Sequence, residues 1–555
     1  MKKMKPIKII TIASVLLVYA TTAALACTNV IVGKNASTTG AVMCSYSADS
    51  YGMFGQLNFI PAAKHAPGEM YEIYDYDSNE HRGSIPQVAE TYNVVGHINE
   101  YKVAVMETTF GGRKEVEQDS CGLIDYGSLM YLGLMRAKTA REAIKVMTTL
   151  VETYGYASEG ESFTICDADE AWILEMISQG HGSKKVSWVA QRIPDNAISG
   201  HANQARIRKV NLKDKENVMM SKDCIKFARK MGWFSGKDEE FSFADVYSPA
   251  DFSARRICDA RVWTFFRRHA SGMDKYLPWV EGKQSDAEPM PLWVVPEKKV
   301  SLQDVQTAMR DHYEGTPFAI DIPDGDPGKG IYNMPYRPTP LYFDYEGKKY
   351  FNERPISTQQ ASFSIIAELR SWLPREVGSL LWWANDDGNM VAYTPLYGCI
   401  TKAPVPYLTP GADDATFSMD NAFWVCNWVI NMVYPRYSML FPELKAVRDS
   451  IDGSLAALQS EVEAKAVERL ERNRDNGVDY LTKYSSKKAD EMLAAWKNLA
   501  VKIIVKYNDM AVKVEENGKY KRTKHGWIVA PKRPGYSDET KKAIANFGER
   551  YRVPK

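Results

Sequence analysis

The junction Ala24-Leu25-Ala26-Cys27 constrains this chain more than any other feature. Lys2, Lys3, Lys5 and Lys8 lead into an apolar run from Ile9 to about Tyr19, and a small, polar stretch from Ala20 to Ala26 follows. Ala24-Leu25-Ala26 has the A-x-A form of an export-signal cleavage site. The apolar run is shorter than the ~20 residues that a membrane-spanning helix needs, and no later segment approaches that length. These features predict that residues 1–26 are a signal peptide cleaved after Ala26, and that the protein is exported to the periplasm or the extracellular space. Cut there, the chain begins with a cysteine that runs directly into "TNVIVG", a β-branched, apolar strand pattern. A first residue that opens a core strand has its thiol and its α-amine fixed at one place in the fold.

A cysteine after a signal segment is either a lipid anchor or a reactive terminus. Lipid-attachment signals usually carry a large aliphatic residue three positions before the cysteine and a small one two before. Ala24 and Leu25 reverse that order. A lipidated cysteine is also normally followed by a polar tether, not by a buried strand. The alternative of another class, a surface binding protein lipidated on Cys27, is therefore the weaker reading. The chemistry of a first-residue cysteine is favourable. A thiol has a pKa of ~8.5 and an α-amine ~7.7–8.0, so the amine of Cys27 can take the thiol proton and later return it to a leaving amine. One residue then supplies both nucleophile and base.

Composition narrows the alternatives. The net charge of +1 over 555 residues creates no global field that favours nucleic acid or anionic membrane. None of the eight cysteines is spaced C-x-x-C, which argues against a zinc or thioredoxin site. The expectation is mostly buried thiols, with room for one or two bridges. Neither H-E-x-x-H nor G-x-S-x-G occurs. "GDPGKG", Gly325 to Gly330, lacks the phosphate-loop spacing and reads as a Gly/Pro turn. No metal or organic cofactor is expected.

Strand patterns alternate with helical runs without regular βαβ order, which predicts an α+β fold. "SFTIC", "DADE" and "AWILEMI" read as a hairpin, and the run from Asp125 to Gly155 as a helix pair with Thr139 as an N-cap. Leu455, Leu458, Val462, Ala466 and Leu470 form one helical stripe, and Leu493, Trp496, Ala500 and Ile503 a second. The chain accordingly divides into the signal peptide 1–26, a catalytic domain 27–436, a helical extension 437–510 packed on it, and a basic tail 511–555.

"CTNVIVGKNASTTGAVM" resembles the start of the N-terminal-nucleophile (Ntn) cysteine dipeptidases of the dipeptidase A (PepD) type. Further matches follow in order: "IPQVAETYNVV", "GHINEYKVAVMETTFGG", "RAKTAREAI", "GESFTICDADEAWILEM", "RIPDNAISGHANQARI", "VSLQDVQTAMRDHYEGTPF" and "AELRSWLPREVGSLLWWA". The resemblance implies an Ntn-hydrolase four-layer αββα sandwich and hydrolysis of dipeptides or short peptides. It implies Cys27 as nucleophile, Asp49 as the carboxylate that orients the N-terminal amine, and Asn203 as an oxyanion-hole donor. The Arg-Asn pair that relatives often carry just before that aspartate is replaced here by Tyr46 and Ser47. The missing arginine is expected from "DFSARRICDARVW", with Arg256 preferred to Arg255. Arg206 is read as either a contact for a substrate carboxylate or a structural residue. An amidase of the penicillin V or bile-salt hydrolase kind is the same-class alternative. Oligomeric state is left open.

Overall fold

The computed structural model describes residues 27–320, 334–336 and 341–554. The predicted signal peptide and the Gly325–Gly330 turn lie outside the described residues. Two large antiparallel sheets dominate. Their principal strands in chain order are β1 (Thr28–Val32), β2 (Val42–Asp49), β3 (Ala104–Gly111), β4 (Gly160–Cys166), β5 (Ala171–Ser178), β6 (Val186–Ile193), β7 (Ile198–His201), β8 (Ala361–Leu369), β9 (Ser379–Asn385) and β10 (Thr394–Tyr397). The first sheet runs β7-β1-β2-β8-β9-β10, with a short edge strand, Trp293–Val294, outside β7. The second contains β6-β5-β4-β3, flanked by shorter strands at both edges. Helices and antiparallel sheets are thus mixed without βαβ order, as an α+β class requires. The predicted hairpin is present, with Cys166 opposite Ala171.

β1 occupies the interior of the first sheet, between β7 and β2, with Asn29 opposite His201 and Thr28 opposite Ser47. Every residue of β1 and β2 is buried. Burial on both faces explains why "TNVIV" reads as a continuous apolar run instead of an alternating one. Thr28 takes a hydrogen bond from Arg261 on the helix α3 (Ala260–His269), whereas Asn29 donates to the Glu107 carbonyl on β3. Side chains alternate along a strand. One face of β1 therefore meets a helix and the other meets the second sheet.

The second sheet is covered by the helix pair α1 (Tyr126–Arg136) and α2 (Ala140–Tyr154). Leu129, Leu132, Ile144 and Val151 share a core with Val105, Phe163, Trp172 and Leu174 of the strands. Thr139 caps α2 by accepting from the Glu142 backbone N–H, as the sequence predicts.

Beyond residue 436 the chain forms a helical hairpin, α4 (Tyr437–Arg472) and α5 (Arg474–Lys506), with Asn473 capping the second helix. Leu455, Val462, Ala466, Leu493, Trp496, Ala500 and Ile503 are buried along it. Leu458 departs from its predicted stripe and is 39% exposed, because the long helix turns that position away from its partners. The tail beyond Lys506 is largely exposed. All eight cysteines are free thiols, and only Cys121 is exposed, so the room left for bridges is not used. Among the described residues no helix is long and apolar enough to cross a membrane.

Candidate active site

Cys27 stands immediately before β1 and is 1% exposed. Its Sγ lies 3.5 Å from Glu107 Oε1 and 3.8 Å from the Tyr46 hydroxyl. Tyr46 in turn donates to the same Glu107 oxygen. Burial pushes the thiol well above its ordinary range, and the charges of Glu107 and Asp49 push in the same direction. With Cys27 still in peptide linkage, the thiol is therefore protonated and a poor nucleophile.

Asp49 ends β2, fully buried, two residues along from the Ser47 that pairs with Thr28. Its carboxylate accepts from Ser47 Oγ and is ion-paired with Arg354. Burial raises its pKa to about 6, against the opposing effects of Arg354, Ser47 and Arg261. A β-bulge on β8 between Ala361 and Phe363 faces Ala48 and Asp49, where Ser362 Oγ donates to the Ala48 carbonyl at 3.0 Å. Gly55 lies against this bulge, and a Cβ there would stand 2.0 Å from the Ser362 carbonyl oxygen. The strand end that carries Asp49 is thus held by a close backbone approach that only glycine permits.

Asn203 follows β7 with φ of 65°, in the left-handed region that asparagine tolerates better than most residues. Its side-chain nitrogen donates to the Thr109 carbonyl at 2.8 Å, and its side-chain oxygen accepts from Arg261 at 3.0 Å.

Arg261 joins these parts. It donates to the Cys27 carbonyl at 2.6 Å, Thr28 Oγ1 at 2.8 Å and the Ala202 carbonyl at 2.9 Å, as well as to Asn203. Burial lowers its pKa only to about 10, so it remains a cation at neutral pH. The sequence reading expected Arg256 in this position. Arg256 is instead ion-paired with Glu353 and lies over the Phe318 ring, while Arg255 lies over the Trp279 ring and donates to the Gln284 carbonyl. Arg206 has the structural role of its two alternatives. It is buried, donates to the Gly200 and Pro291 carbonyls, and pairs with Asp259 at 3.2 Å.

A family model described as peptidase family C69 matches residues 26–449. The chain belongs to peptidase family C69. It is 27% identical over 395 residues to a probable dipeptidase of Salmonella dublin, covering 67% of this chain and 81% of that protein. It is 26% identical over 441 residues to a probable dipeptidase of Latilactobacillus sakei, covering 74% and 82%. It is 24% identical over 437 residues to a dipeptidase of Bifidobacterium longum, covering 72% and 75%.

The C69 match begins one residue before Cys27 and ends inside α4. It therefore contains Cys27, Asp49, Asn203 and Arg261 and leaves out most of the helical hairpin. Three residues of this cluster carry no sequence signal of their position. Arg261 was hidden among three arginines in one segment, which begins with a π-helical turn, Ala254–Asp259, so that ordinary helical spacing misjudges which arginine faces β1. Glu107, and Glu161 behind it, read as ordinary strand residues in "METTF" and "GES", with no local signal of their position. One group of metal-capable side chains lies together among the described residues: Asp119, Cys121 and His181. The Asp119 carboxylate already accepts from the backbone N–H groups of Cys121, Gly182 and Lys184.

Proposed function

We propose that this peptidase is an exported cysteine dipeptidase whose nucleophile is Cys27, exposed as the first residue by cleavage after Ala26. The fold we assign is the Ntn-hydrolase αββα sandwich, with residues 27–436 as the catalytic domain and 437–510 as a helical extension. The observation that carries this reading is the position of Cys27. It opens an interior strand, and groups from β2, β3, the turn after β7 and helix α3 converge on it. The dipeptidase names of the relatives support the substrate class.

The reaction follows from the same geometry. Cleavage replaces the peptide nitrogen of Cys27 by an amine. That amine takes the thiol proton, and the new ammonium stands near the Asp49 carboxylate. Sγ attacks the scissile carbonyl carbon, and the electron pair of the carbonyl moves to oxygen, toward the Asn203 amide. Collapse breaks the C–N bond, the ammonium of Cys27 protonates the departing amine, and a thioester remains. Water, deprotonated by the same amine, then releases the first amino acid and restores the thiol. Arg261 fixes the Cys27 carbonyl and the Asn203 oxygen, which sets the angle between nucleophile and oxyanion donor.

Intact mass and N-terminal sequencing of the exported protein test this reading. The expected product begins at Cys27 with a free amine, and a thiol alkylator abolishes its dipeptidase activity. A diacylglyceryl mass increment on Cys27, or full activity after alkylation, contradicts it.

A further inference from the structure

Behind the thiol lies a pair of carboxyl groups that the mechanism above does not use. Glu107 and Glu161 are 2% and 0% exposed. Glu107 Oε1 faces Cys27 and Tyr46. Glu161 Oε2 accepts from Thr109 Oγ1 at 3.1 Å. The remaining oxygens, Glu107 Oε2 and Glu161 Oε1, are buried and have no hydrogen-bond donor other than each other's carboxyl. Among the described residues neither carboxyl has an ion pair, and Asp77 adds a further negative charge nearby. Asp49, by contrast, is already paired with Arg354.

Two carboxyls that face one another in a buried site hold one shared proton until a cation arrives. Burial and the charge of Glu107 push Glu161 well above the carboxylate range, consistent with such a proton. A negative charge next to Sγ opposes both thiolate and oxyanion, so the pair does not serve the attacking atoms. A dipeptide supplies the missing cation. Its α-ammonium is separated from the scissile carbonyl by a single carbon, and that carbonyl must come within ~3–3.5 Å of Sγ for attack. A carboxylate oxygen 3.5 Å from Sγ is within reach of that ammonium.

We propose that Glu107, backed by Glu161, is the receptor for the free α-ammonium of the substrate's first residue. The inference rests on the reading of Cys27 as nucleophile. The ammonium takes the place of the shared proton, which leaves to solvent, and forms a charge-assisted hydrogen bond to Glu107. An N-acylated peptide, or an amide with an apolar acyl group, leaves both carboxyls facing an uncharged group. The site then selects substrates with a free amine one carbon from the scissile bond, which describes a dipeptide and excludes penicillin-type amides.

The test compares kcat/KM of the mature enzyme on three substrates: the fastest-cleaved member of a small dipeptide panel, its N-acetyl derivative, and its des-amino analogue, in which hydrogen replaces the ammonium. Loss of one member of a buried charge pair costs ~10²-fold or more. Wild-type enzyme is expected to favour the free-amine dipeptide over the des-amino analogue by about that factor. Glu107→Gln is expected to lose about 10²-fold on the dipeptide and to be no slower than wild type on the analogue, since the charge that opposes the thiolate is gone, so the preference collapses. Equal wild-type rates on dipeptide and analogue overturn the proposal without any variant. A Glu107→Gln protein that loses both activities by the same factor also overturns it, because Glu107 would then serve the thiol. If circular dichroism shows that Glu107→Gln is unfolded, the wild-type comparison and Glu161→Gln decide by the same ratio. If alkylating Cys27 leaves wild-type hydrolysis of the dipeptide intact, the underlying nucleophile reading fails, and this proposal with it.

Discussion

Carboxylates are handled in opposite ways in the sheet core and in the helical hairpin. In the hairpin, burial acts against ionisation of Glu443, but hydrogen bonds from Lys502, Lys506 and Tyr507 outweigh it and lower the pKa to about 2. Neighbouring turns carry the pairs Lys465–Glu461, Arg472–Glu468 and Lys483–Asp479 at i,i+4 spacing. In the sheets, burial raises Asp49 to about 6 and Glu175 to about 7, and it raises Glu107 and Glu161 as well. Charge on the open faces of the hairpin supports the helices that carry it, whereas Glu463, packed against Arg370, is raised by burial as the sheet carboxyls are. Charge in the sheets costs the fold stability. Three of these carboxyls, Asp49, Glu107 and Glu161, belong to the network around Cys27, the pattern expected where a fold gives up stability for chemistry.

Arg261→Ala should do the most damage, because this arginine ties the Cys27 carbonyl to Asn203. Arg261→Ala leaves the carbonyls of Cys27, Ala202 and Ile257 without this donor. At about 1–3 kcal/mol for each buried group left unpaired, we expect a loss of about 3–5 kcal/mol in urea unfolding and activity near background. A variant with wild-type stability and activity would show that the arginine is not what holds the site together.

Asn203→Ala comes next. Loss of one oxyanion donor lowers kcat by ~10²–10³, with KM little changed because the bond strengthens mainly in the transition state. A change confined to KM would assign Asn203 to ground-state binding instead.

The pH dependence of stability separates the two regions more gently. Glu175 and Asp386 have folded-state pKa values raised to about 7, chiefly by burial. The folded state therefore holds their protons more tightly than the unfolded state. The stability they contribute is complete below the ordinary carboxylate range and is lost as pH rises through about 7. Glu443 has the opposite sign: its contribution is present above the ordinary range and is lost only as pH falls toward about 2. The urea midpoint is therefore expected to rise between pH 8 and pH 7, above the range where the buried His97 and His201, with pKa values lowered to about 4 and about 3, act in the opposite direction. A fall over that interval would contradict the assignment of these two carboxyls as buried without adequate compensation.

The smallest effect belongs to the hairpin. Glu443→Gln removes two partly exposed ion pairs, with Lys502 at 2.6 Å and with Lys506, and weakens the hydrogen bond from Tyr507 at 2.8 Å. It should cost no more than about 1 kcal/mol and leave kcat/KM unchanged. A large loss of activity would mean that the hairpin takes part in catalysis.

Much of this was legible in the sequence where local pattern decides the structure. The signal-like junction pointed to Cys27, period-two and apolar runs gave β1, β2 and the β4–β5 hairpin, and helical spacing found α2 with its Thr139 cap. The family resemblance implies Asp49 and Asn203, and the structure brings both near Cys27. The rest depends on packing between elements distant in the chain. Arg261 meets Cys27 across 234 residues, and Glu107 meets it across 80. Nothing in "ARRICDARVW" distinguishes the arginine that reaches β1 from the one that pairs with Glu353. Leu458 shows the converse: its helical spacing is sound, but the helix turns it to solvent between the buried Leu455 and Val462.

The proposed mechanism requires Cys27 to be the first residue. Its most direct test is hydrolysis of one dipeptide by two preparations of the folded chain, one beginning at Cys27 and the other carrying a single uncleavable residue ahead of it. With the α-amine locked in an amide, the thiol has no base, and the extended protein should lose at least ~10²-fold in kcat, the low end for a positioned acid–base group, while its circular dichroism is unchanged. Equal kcat from both preparations would contradict the claim and place the base elsewhere.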